Sequence, residues 1–195
     1  MKIIATSLFA YFAVLVSSDV GAGEHHHHQY AGQEDREVKS LSGDDIAQLK
    51  NGAGWGLAKS AELNGLPGPV HLLELRDQIM LSQTQVGEIK KIHSTMKRRA
   101  IKFGHQLISL ERALDGEFAS GNLTPEALKR RLVQISDVRR ELRYIHLAAH
   151  LKTRPVLSDA QVAEYSKLRG YGGSTCDEVP AGHNPERWKK HNGCD

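Results

Sequence analysis

The chain has 195 residues, of which 39% are hydrophobic, 25% charged and 6% aromatic. That length suits one modest core and excludes two comfortable domains. Lysine and arginine number 26 against 23 aspartates and glutamates, and so slight a balance argues against a dedicated nucleic-acid binder.

Lys2 is a short positive stretch ahead of an apolar run from Ile3 to Val16, and Val20-Gly21-Ala22 forms a small-x-small cleavage site. Residues 1–22 therefore read as a signal peptide whose apolar run is too short to persist as a spanning helix, with an uncleaved anchor as the alternative. No later stretch approaches transmembrane length. Residues 23–40 are polar, histidine-rich and without apolar periodicity, the pattern of a disordered segment.

Residues 41–170 read as helical, being rich in Leu, Ala, Glu, Gln, Lys and Arg. Leu41-Ser42-Gly43-Asp44-Asp45-Ile46 is a first helix start, a short helix lies near Leu57 to Leu63, and Pro67-Gly68-Pro69 opens another from Val70 to about Met80. Ser82 with Gln85 forms a capping box, stapled by Leu81 and Val86. From there Val86, Ile89, Ile92, Met96, Ala100, Phe103, Leu107, Leu110, Leu114 and Phe118 recur at spacings of three and four. At 1.5 Å per residue this helix is roughly 55 Å long. Gly121-Asn122 breaks it. Thr124 caps the next helix with Pro125 at its first position, and Leu128, Leu132, Ile135, Val138, Leu142, Ile145 and Ala149 carry the stripe towards Pro155. The short break makes the two helices an antiparallel hairpin. Ser158 with Gln161 repeats the capping box. The predicted fold is all-α, a long antiparallel hairpin with shorter flanking helices. One thin hairpin leaves apolar stripe uncovered, which predicts a homodimer.

Residues 171–195 read as an irregular tail. Its Cys176 and Cys194 suit a disulfide in an oxidising compartment, worth ~3 kcal/mol to the tail. A metal knuckle with His183 and His191 is the alternative, at a spacing that matches no familiar zinc pattern.

Two motifs, Leu81-Ser82-Gln83-Thr84-Gln85 and Leu157-Ser158-Asp159-Ala160-Gln161, resemble the paired Leu-Thr-x-x-Gln hallmark of the Spy/CpxP superfamily, with serine keeping the capping hydroxyl. The segment from Ala61 to Pro69, followed by His71, is similar to that of the heavy-metal-sensor subgroup. The resemblance covers residues 57 to 170. It implies a hooked, often dimeric, non-catalytic helical protein of the periplasm, and leaves chaperone and metal binder both open.

His146 and His150 stand four apart on one helical face. The antiparallel return sets His150 level with His93, and a fold-back of the preceding helix brings His71 to the same slice, with Glu74 one turn away. Imidazole with carboxylate suits zinc, nickel, cobalt or copper. The alternatives are chance pairing among 11 histidines and capping of the helix C-terminus. Met96 reads as core. Cleavage after Ala22 would expose Gly23-Glu24-His25, whose amine, amides and imidazole form a square plane for copper or nickel; a solvated tract is the alternative. Basic residues along both long helices read as a solvated surface, or as the rim of a client-binding face. Nothing forms a catalytic constellation, so no enzyme is expected.

The expected function is metal binding in envelope or metal stress through His71, Glu74, His93, His146 and His150. The rivals are an ATP-independent holdase for unfolded clients and a regulatory partner of a membrane stress sensor.

Overall fold

The computed structural model describes residues 30–171, 179, 184–192 and 194. The helices are α1 (Gly43–Asn51), α2 (Lys59–Glu62), α3 (Pro69–Glu74), α4 (Gln83–Ala119), α5 (Pro125–Thr153), α6 (Asp159–Leu168) and α7 (Pro185–Asn192), with a 3₁₀ turn at Arg154–Val156 after α5. Among the described residues there is no strand, only an isolated bridge between Val38 and Leu41. No helix among them is long and apolar enough to cross a membrane. The backbone divides into two units, Met1–Gly32 and Gln33–Asp195. Of the first, residues 30–32 are described; they form a turn with Gly32 at φ +80°. All that follows concerns the second.

Helices α4 and α5 are the antiparallel hairpin. Helix α4 runs for 37 residues because its apolar stripe never loses phase, and Gly121, at φ +70°, turns the chain back. The main core lies along the hairpin. Met96, Ala100, Leu107 and Ile108 of α4 meet Ile135, Leu142, Ile145 and Ala149 of α5 and Ile46 and Leu49 of α1. Gly104 makes the α1 contact close, since a Cβ there would lie 2.2 Å from the Leu49 carbonyl oxygen.

Residues 33–40 depart from the expected disorder. Val38 is fully buried in this core, the Lys39 amide donates to Asp115 at 2.6 Å, and the Ser40 hydroxyl donates to Glu111 at 2.8 Å. Single buried anchors of this kind carry no periodicity for a sequence pattern to reveal.

At the other end, a smaller core joins Leu72, Ile79, Ile89, Leu157 and Tyr165. Here the two serine-glutamine motifs lock together. Each serine and glutamine forms a complete capping box on its own helix. The Gln85 amide also donates to Gln161 Oε1 (2.8 Å) and to the Val156 carbonyl (2.8 Å), while the Gln161 amide donates to Gln85 Oε1 (3.1 Å). Each glutamine thus caps its own helix and ties α4 to α6.

Three further expectations change. The helix expected from Val70 to Met80 ends at Glu74, and residues 75–80 form a bend and turns. Met80 closes that turn at φ +53°, a strained conformation for a side chain that is also 83% exposed. The tail expected to be irregular contains α7. Phe118 and Leu132, placed on the apolar stripes, are 60% and 45% exposed towards the hairpin tip. Cys194 is disulfide-bonded; Cys176 and His183 lie outside the described residues.

Candidate functional site

A groove of about 400 Å³ opens where the α1–α2 loop and the start of α3 cross the hairpin. Gly52, Trp55, Glu62, Gly68, His71, Met96, His146 and His150 are among the residues lining it. Trp55 is held by its indole N–H, which donates to Asp45 Oδ1 at 2.8 Å, and by Arg139, whose guanidinium lies 5.4 Å from the ring centroid.

His146 and His150 come from successive turns of α5 and are both buried. His146 is 3% exposed, and its Nε2 has no hydrogen-bond partner. Burial, followed by the neighbouring His150 charge, pushes its pKa down to about 4, so the ring is neutral at pH 7 with its capacity as a ligand intact. An orphaned polar atom at such depth costs about 1–3 kcal/mol, which a bound ligand would recover.

The His150 ring is fixed by its other nitrogen. Nδ1 lies 2.7 Å from the Leu66 carbonyl oxygen, and a carbonyl only accepts, so Nδ1 carries the proton. In the neutral ring, Nε2 then holds the free lone pair. Gly68 leaves that nitrogen room, since a Cβ there would come within 2.9 Å of it. An imidazole oriented through a backbone carbonyl is the usual support of a metal-ligating histidine. Glu62 closes the back of the site, with Oε2 3.6 Å from His150 Nδ1. Its other oxygen takes the hydroxyls of Tyr165 and Tyr171 (3.2 Å for the latter) and lies 3.4 Å from Arg169 Nε. Burial and this carboxylate push the Tyr165 pKa upward.

Of the five expected metal ligands, the structure brings His71, His146 and His150 to one groove. His71 is paired instead with Glu74, Nδ1 to Oε2 2.7 Å, on a side chain 38% exposed. Glu74 itself is outside the groove wall. His93 does not line the groove either. Its level along the hairpin follows from the turn, but its angle about the α4 axis does not, and burial followed by Lys97 lowers its pKa. The expected convergence of all five is therefore not present. Among the described residues no group of three or more His, Cys, Asp or Glu side chains stands ready to hold a metal ion. Met96 lines the groove from its place in the core. Gly23, Glu24 and His25 lie outside the described residues.

Sequence reasoning missed Glu62, Gly68 and the Leu66 carbonyl as parts of the site. The Gly65-Leu66-Pro67-Gly68-Pro69 run marked a loop, and a glycine between prolines is the one signal that backbone approaches a side chain closely there. No protein-family model matches the chain, and no curated protein or solved structure matches it significantly.

Proposed function

We propose that this protein binds a divalent transition metal in the groove, through Nε2 of His146 and Nε2 of His150. The observation that carries this reading is the buried, neutral and unpartnered His146 Nε2 beside a second oriented imidazole. Two nitrogens are an incomplete shell for zinc or copper. His71 supplies a third by leaving Glu74, and its partial exposure gives it room to turn. The Met96 thioether is a soft fourth donor that favours copper. The resemblance of the two serine-glutamine motifs to those of the Spy/CpxP superfamily supports a role in metal stress outside the cytoplasm.

One stoichiometric equivalent of copper, zinc, nickel or cobalt ion should raise the thermal midpoint. At about a hundredfold excess over Kd, the gain is about 2.7 kcal/mol. His146→Ala and His150→Gln should each lose that gain relative to their own metal-free baselines, and a chain beginning at Tyr30 should keep it. A gain retained in both variants and lost in the shortened chain would move the binding to the histidine-rich segment and end this proposal.

A second reading, the holdase, is favoured by the exposed Phe118, Leu132 and Val133 near the hairpin tip, where Pro125, Leu128 and Leu132 line a shallow groove of about 400 Å³. It differs in that suppression of client aggregation would persist in chelator.

A further inference from the structure

A different groove, of about 240 Å³, runs between α4 and α5. Met96 lines it and also the histidine groove. Its floor is apolar, made by Ile92, Met96, Ile145 and Ala149, three of them buried in the main core. Its rim is cationic. Lys91 and Lys152 come from opposite helices, and Arg99 stands two helical turns along α4, about 12 Å away by helical rise.

The cations are not equivalent. Arg99 already has Glu141 at 3.8 Å, whereas among the described residues no carboxylate pairs with Lys91 or Lys152. Unmatched positive charge is thus concentrated at one end of an apolar trough. We propose that this groove binds a medium-chain alkyl carboxylate, with the chain on the floor and the carboxylate between the ammonium groups of Lys91 and Lys152. Exposed lysines alone hold a simple anion weakly, at about 0–1 kcal/mol each. The floor adds about 25 cal/mol for every Å² of chain taken from water, so charge and chain are needed together. A two-turn trough with one unmatched charged end suits a ligand with one head and one tail.

Decanoate, added to the full chain below its micellar concentration, should shift the backbone amide NMR resonances of residues 91–99 and 145–152. Decanol, a chain without the charge, and acetate, the charge without a chain, should each bind at least about tenfold more weakly. Lys91→Gln with Lys152→Gln should weaken decanoate by about tenfold and leave decanol unchanged. Both lysines are exposed, so the variant keeps its fold. Ala148→Phe, which fills the trough, should abolish both responses. Three results would each overturn the proposal: no shifts with decanoate, equal shifts with acetate, or decanoate binding unchanged in the double variant. Shifts in these amides that follow protein concentration rather than decanoate would also overturn it, making the trough an interface between copies of the chain.

Discussion

Replacing Gly104 with alanine is expected to destabilise the protein by about 3 kcal/mol, although alanine is the better helix former by about 1 kcal/mol. The new Cβ would lie 2.2 Å from the Leu49 oxygen and 2.9 Å from its carbonyl carbon. Both are backbone atoms, so no side-chain rotation relieves the clash. The last turn of α1 must lift, and it carries Leu49, which is 2% exposed. Lifting it also loosens Ile46, at a transfer cost of about 1.5–3 kcal/mol for each side chain fully uncovered. Urea unfolding measures the effect directly. Gly87→Ala and Gly116→Ala are the controls, because a Cβ at either position meets nothing within 4 Å. They should be neutral or stabilising by up to about 1 kcal/mol. If Gly104→Ala matched those controls, α1 would not dock on α4 as described.

Acid should weaken the fold through His146 in a defined window. In the unfolded chain its pKa returns to about 6.5, whereas in the folded chain it is about 4. The folded state therefore binds fewer protons between those values. Stability is complete above about pH 6.5, falls as pH drops towards 4, and has no more to lose from this group below that. The full loss is about 3 kcal/mol. His146→Gln removes the titrating group, so its stability should be flatter with pH across the same window, whatever its absolute value. Chemical unfolding at pH 7, 5.5 and 4 gives both slopes. Equal slopes in the two proteins would mean that the ring is hydrated rather than buried.

The long elements were legible because one physical pattern specified each. The stripe from Val86 to Leu114 repeats at helical spacing, Gly121 supplies the reversal, and Ser82–Gln85 and Ser158–Gln161 write their own helix starts. Helix α3 was drawn six residues too long because Val70 to Ile79 keeps helical spacing, while the turn at residues 75–80 is set by burial of Ile79 in the smaller core. Val38 was missed because a lone anchor has no period. The site was legible in part. The spacing of His146 and His150 gave a shared face, and both line the groove. Their environment was not legible, because it comes from Leu66 and Gly68, 84 and 82 positions away from His150, on a loop whose path is tertiary. His93 shows the same limit from the other side, since a level read from the turn says nothing of the angle about the helix axis, and His93 does not line the groove.

Metal binding as proposed requires His146 Nε2 to be unpartnered and its ring neutral at pH 7. Imidazole nitrogen NMR on the full chain, with and without one equivalent of zinc ion, tests it most directly. Metal binding in the groove predicts a neutral His146 ring at pH 7, a proton on Nδ1 of His150 facing the Leu66 carbonyl, and large shifts of both Nε2 resonances when zinc is added. An imidazolium signal from His146 at pH 7, or zinc shifts confined to His25–His28, would contradict it.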